Sequence, residues 1–150
     1  MTKLGIIGAM EEEVETLLVK MEDKSASKRA GSTFYEGKLS GLDVVVVQCG
    51  IGKVNAALCV QILCDCFGVT HVVNTGIAGS LSADLDIGDL VISRDAMYHD
   101  FDCVHFGYDF GKASHAFFYL IEILRAKSIG TSHDKKRSMC VSQRFYDIIR

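Results

Sequence analysis

The stretch "GAMEEEVE", residues 8–15, sets three carboxylates, Glu11, Glu12 and Glu13, just after an apolar run and a glycine. A strand end, a glycine and a helix N-terminus ordinarily form an anion site, because unpaired N–H groups and the helix dipole favour negative charge. Here the negative charge is already part of the chain. Carboxylates in a first turn suit the dipole, and this alone explains them as stabilising surface residues. The same charges would repel a bound phosphate. Catalysis at this spot would then be that of a carboxylate base acting on water rather than phosphorolysis. At about 100° per residue, Glu12 points almost opposite the stripe of Leu17 and Met21, while Glu11 and Glu13 flank it. Periodicity does not choose between those two.

Three further stretches have chemical potential. "NTGIAGS", residues 74–80, follows an apolar run and carries Gly76 and Gly79 with little side-chain chemistry between them. Such a loop is either a structural turn or a place where backbone approaches a ligand without a Cβ in the way. "GIGKV" invites a phosphate-loop reading, but GxxxxGK[ST] needs glycine at 47 and Ser or Thr at 54, and the chain has Val47 and Val54. No GxGxxG follows a strand, so a dinucleotide site has no support. "YHDFDCVH" gathers His99, Asp100, Asp102 and His105, yet lacks a framed metal spacing, and a polar loop packed by Phe101 and Phe106 is the plainer reading.

The elements that must position these residues follow from periodicity. A strand is expected over residues 4–7, then a helix whose Val14, Leu17, Leu18 and Met21 form one apolar stripe. Residues 34–39 and 42–48 pattern as a hairpin around Ser40-Gly41. A helix is expected after Gly50 and Gly52, closing before Gly68, with strands at 70–74 and 90–93. Strands alternating with helices, with near-continuous Val/Ile runs, predict an α/β sheet covered on both faces. Ligands in such sheets sit beyond the strands' carboxyl ends, which gathers the loops 8–13, 49–53 and 76–80.

Composition narrows the classes. The chain has 150 residues, 49% hydrophobic and 23% charged, enough for one domain with a sizeable core. No apolar run reaches the roughly 18 residues of a membrane span, and the N-terminal apolar run is short for a signal peptide. A cytosolic protein is expected. Six cysteines without a CxxC pair are expected to be buried free thiols. No basic–aromatic pattern marks a nucleic-acid site. The net charge of −3 is uneven, acidic through Lys112 and basic after it.

Taken together, "LGIIGAMEEEVETLL", "GIGKVNAAL", "NTGIAGSL", "IGDLVIS" and "YHDFDCVHFGYDFGK" resemble the 5′-methylthioadenosine/S-adenosylhomocysteine nucleosidases, within the purine nucleoside phosphorylase superfamily. The resemblance covers about residues 1–112, with the motifs in order. It implies a three-layer α/β/α sandwich, a homodimer, and hydrolysis of the adenine–ribose bond of a small nucleoside without metal or cofactor. Glu13 matches the family's water-activating carboxylate. Met10 and Ile51 match residues lining the alkylthio pocket, and Ala78 and Gly79 match the loop beside the nucleoside. Cys103 and Phe106 match positions that reach across the dimer into the partner's pocket. Ile77 stands where many members have a serine near the catalytic water.

Beyond Lys112 the resemblance stops. Family members continue with a Met-Glu pair gripping the ribose, an aromatic stacking on adenine and a Ser-Asp pair that protonates the purine. No Met-Glu follows Met21-Glu22 here, and no Ser-Asp occurs. Residues 113–150 are therefore expected to be a non-family tail of a truncated or frame-shifted chain, making the fold incomplete at its C-terminus. A genuine short variant with a new helix at 117–124 is the alternative. For function, the alternatives are a catalytically dead remnant or interaction-only chain and, with less support, a purine nucleoside phosphorylase.

Overall fold

In the computed structural model the described residues are 2–79, 82–92, 98 and 101–112. Contacts divide the chain into two units, with the break after Ile77. The first unit holds all the strands among the described residues: β1 (Lys3–Gly8), β2 (Glu22–Arg29), β3 (Ser32–Leu39), β4 (Leu42–Gln48) and β5 (His71–Asn74), with helices α1 (Glu11–Lys20) and α2 (Lys53–Phe67).

The sheet runs β2-β3-β4-β1-β5. β1 pairs parallel with both β4 and β5, while β2, β3 and β4 form an antiparallel meander. The central strands are buried because both of their faces are covered. Along β4, Val45 and Val47 join Ile7, Phe34, Ala56, Cys59 and Leu63 in a core beneath α2. Val44 and Val46 alternate to the other face and pack with Ile6, Val14 and Met21 beneath α1. Helix, sheet and helix thus make the three layers that the resemblance implies, within residues 2–77.

Local chemistry explains the boundaries. α2 stops because Gly68 takes the left-handed conformation (φ 61°), and its N–H turns back to the carbonyls of Leu63 and Cys64. β1 approaches α1 closely at Gly8, where an added Cβ would lie 2.7 Å from Val14 Cγ1.

Three expectations need correction. β2, "EDKSASKR", was not anticipated, because a largely exposed polar edge strand shows no apolar alternation. It forms because the Ala30-Gly31 turn, with both φ values positive, folds it onto β3. Residues 90–92 form no strand, with Leu90 and Ile92 largely exposed; Ser93 lies outside the described residues. A short apolar run shows that burial would suit it, but a strand exists only where a neighbour completes its ladder. The cysteines divide as well. Cys49 and Cys59 are buried free thiols, but Cys64 and Cys66 are exposed and Cys103 is intermediate. α2 buries one stripe, Ala56, Cys59 and Leu63, and neither Cys64 nor Cys66 belongs to it. Cys140 lies outside the described residues.

The buried thiols carry a pH signature. Burial first, then the neighbouring Cys59 and, least, the Glu13 carboxylate push the Cys49 thiol up from 9.0 to about 11, against a backbone hydrogen bond that pulls it down. Burial pushes Cys59 in the same direction. Between pH 9 and 11 the unfolded chain gives up the Cys49 proton while the folded chain keeps it. The stability is fully present below pH 9 and is lost as pH rises toward 11. Denaturant melts at pH 8, 9.5 and 11 should show this loss, and Cys49→Ala should flatten it. An unchanged slope in Cys49→Ala would assign the alkaline loss to other groups.

Candidate active site

The parallel strands β1, β4 and β5 end together, with Gly8 opposite Gln48 and Ile7 opposite Asn74. The chain leaving each strand is tied to its neighbour. Cys49 N–H donates to the Gly8 carbonyl at 2.8 Å, and Thr75 N–H donates to the Ile7 carbonyl at 2.9 Å. The starts of the loops 8–13, 49–53 and 76–80 therefore share one edge of the sheet, as the alternating pattern predicts.

Glu13 is the third residue of α1, and the capping residue Met10 has an extended backbone and no side-chain oxygen. Glu13 turns back over the helix start. Its Oε2 accepts from the N–H groups of Ala9 (2.8 Å) and Met10 (3.1 Å), and its Oε1 accepts from Ile77 N–H at 3.2 Å. One carboxylate thereby joins the end of β1, the start of α1 and the loop after β5. Glu11 and Glu12 remain exposed. The wheel could not rank Glu11 against Glu13, whereas the fold turns Glu13 inward because amides from two loops converge on it.

This arrangement accounts for half of the bare loop. A Cβ at Gly76 would lie 2.9 Å from Glu13 Oε1 and 3.2 Å from its Cδ, so Gly76 is bare because the carboxylate occupies that space. At Gly79 a Cβ would meet nothing within 4 Å. Gly76→Ala therefore has a specific expected result. The clash falls on the movable end of a side chain, so the fold should survive, but the carboxylate must leave its amides. If Glu13 is catalytic, a displacement of this kind should cost on the order of 100-fold in turnover with little change in melting temperature. Equal turnover in Gly76→Ala would show that the placement of the carboxylate does not matter.

The other expected site residues are distributed as follows. Met10 donates to Glu13 and packs partly buried against the core beneath α2. Ile51 lies in the loop after β4 and is 67% exposed. Ala78 and Gly79 are exposed at the start of the second unit. Cys103 and Phe106 also belong to that unit, the former half-buried and the latter exposed, beside a short 3-10 turn Val104–Phe106. Sequence reasoning missed Ala9 and noted Ile77 only for its side chain, because both act through backbone N–H groups that leave no side-chain signal. Ile77 keeps a polar contribution whatever its side chain.

Among the described residues, no three His, Cys, Asp or Glu side chains cluster so as to hold a metal ion. His99 and Asp100 of the polar loop lie outside the described residues. No helix among the described residues is long and apolar enough to cross a membrane.

The family model of the Phosphorylase superfamily matches residues 3–139, and the chain belongs to that superfamily. Within it, the chain is 54% identical over 110 residues to the 5′-methylthioadenosine/S-adenosylhomocysteine nucleosidase of Colwellia psychrerythraea, covering 73% of this chain and 45% of the relative. It is 49% identical over 112 residues to the nucleosidase of the same name from Chromohalobacter salexigens, covering 75% and 48%. The solved Colwellia enzyme in complex with adenine superposes with a TM-score of 0.73 at 53% identity, over 75% of this chain and 46% of that one. The Streptococcus pneumoniae nucleosidase with the transition-state inhibitor MT-ImmA gives 0.73 at 38% identity, over 76% and 50%. The chain spans about half the length of the relatives it matches.

Proposed function

We propose that this chain carries the water-activating part of a nucleosidase that hydrolyses the adenine–ribose bond of 5′-methylthioadenosine and S-adenosylhomocysteine. The observation that supports this most is the Glu13 carboxylate, held by the amides of Ala9, Met10 and Ile77 at the strand edge. N-glycoside hydrolysis passes through an oxocarbenium-like sugar, and a fixed carboxylate takes the proton of the attacking water as the C–N bond breaks. Water adds to the anomeric carbon and the bond's electron pair leaves with the purine. In this reading Met10 and Ile51 line the side toward the 5′-thio group, and Ala78 and Gly79 border the sugar and base. Cys103 and Phe106 serve the partner's pocket.

The same geometry disfavours phosphorolysis. The amides of Ala9 and Met10, which a phosphate at this helix start would use, already hydrogen-bond a carboxylate. The plain structural alternative is that Glu13 only caps α1, which would make the chain an inert or interaction-only protein. Adenine release from 5′-methylthioadenosine, followed with and without phosphate, separates the three. Phosphate-independent release supports the hydrolase. Release only with phosphate supports a phosphorylase, and no release supports the inert chain.

A homodimer belongs to this proposal. Val54 and Leu58 are exposed apolar residues one turn apart on α2, and the second unit exposes Val104, Phe106, Tyr108 and Phe110. Cytoplasmic residence and a place in methionine salvage are proposed from the substrate reading. Residues 113–150 are proposed to be a tail foreign to the nucleosidases, since the relatives match over only 110 to 112 residues, while the superfamily model extends to residue 139.

A further inference from the structure

Away from Glu13, the loop between β4 and α2 is held at both ends and bridged by one side chain. Its first residue is anchored, since Cys49 N–H bonds the end of β1. Its last is anchored too, since Gly52 accepts the Ala56 N–H at 3.1 Å. Between them, Gly50 and Gly52 have φ values of 81° and 106°, conformations that L side chains rarely adopt. Ile51 thus sits between two permissive hinges with its side chain in solvent.

One side chain spans those hinges. Asn55 Nδ2 donates to the Ile51 carbonyl at 2.8 Å. The same amide lies over Gly50, where an added Cβ would be 3.3 Å from Nδ2. The glycine thus leaves room for the asparagine amide over the loop. We propose that Asn55 is a positioning residue that clasps this loop, and that by holding Ile51 it sets selectivity for the group on the nucleoside's 5′ position. The inference rests on the functional reading above, in which Ile51 faces that group. With the clasp closed, Ile51 presents a fixed apolar surface that suits a small alkylthio group. With it open, the hinges let Ile51 move aside, which costs a small substituent its contact and costs a long one little.

The test uses the full chain and Asn55→Asp, which keeps the shape, removes the donor and adds a charge that a helix start tolerates. The ligands are methylthio-immucillin-A, bound in the solved Neisseria meningitidis relative, and an analogue with a longer 5′-alkylthio chain. Calorimetry should show the ratio of their affinities shifting roughly 3- to 10-fold toward the longer chain, the range of one lost hydrogen bond. Amide exchange at Ala56, whose N–H bonds the Gly52 carbonyl of this loop, should quicken, while Ala9 and Met10 remain protected by Glu13. Unchanged selectivity with both ligands bound overturns this inference alone, even if exchange quickens, because the clasp would then be merely structural. Failure of the unaltered chain to bind either ligand overturns the functional reading and the specificity role with it.

Discussion

With a family-like C-terminal half in place after Lys112, Glu13→Gln is expected to lower phosphate-independent adenine release by roughly two or more orders of magnitude, as for removal of a positioned general base. Glutamine keeps the length and one acceptor oxygen but cannot take a proton from water. It also disturbs the cradle. Three backbone N–H groups point at the Glu13 carboxylate, so one end of the glutamine must turn an NH₂ toward a donor. That mismatch should cost about 1 kcal/mol of stability, too little to unfold the chain. Glu12→Gln and Glu11→Gln serve as controls, because both side chains are exposed. Adenine release quantified by chromatography, with melting temperatures for all three variants, separates chemistry from folding. Equal losses in the three would show a general electrostatic effect and remove the assignment of Glu13. A loss of stability alone, with turnover intact, would leave Glu13 as a helix cap.

Phe34→Ala is expected to have the largest effect on stability, about 3–5 kcal/mol. Phe34 is fully buried in β3, facing the core beneath α2, and its ring stacks on Phe67 at 5.1 Å between centroids. It packs in the same cluster as Val45, Val47 and Leu63, so truncation opens a cavity shared by the antiparallel meander and α2. The surrounding strands are pinned by ladders on both sides and can collapse only partly into that space. Urea unfolding should show a lower midpoint with a similar slope. Leu18→Ala, on the other face and only partly buried, should cost much less. Comparable losses at the two positions would indicate that the two layers do not differ in packing as their burial suggests.

The elements that could be read from residue order are those whose burial is one-sided or complete. The stripe of Val14, Leu17, Leu18 and Met21, the Val44 to Val47 run and the Ser40-Gly41 turn each carry local physical signals, and α1, β3 and β4 follow. Parallel strands put their outgoing loops on one edge, so the edge that carries the candidate site was legible as well. The motifs carried the resemblance to nucleosidases, and with it the choice of Glu13. Other features lay beyond any local signal. β2 is polar and exposed, and exists because a turn and a partner strand supply its ladder. Residues 90–92 have the apolar pattern of a strand but no such ladder among the described residues. The inward turn of Glu13, the space left by Gly76 and the Asn55 clasp depend on backbone groups 3 to 64 residues apart meeting in space. Residue types and periods state what each segment prefers to bury. Which amide meets which carboxylate is decided only when the loops close on one edge, because a backbone N–H looks alike at every position until the fold points it somewhere.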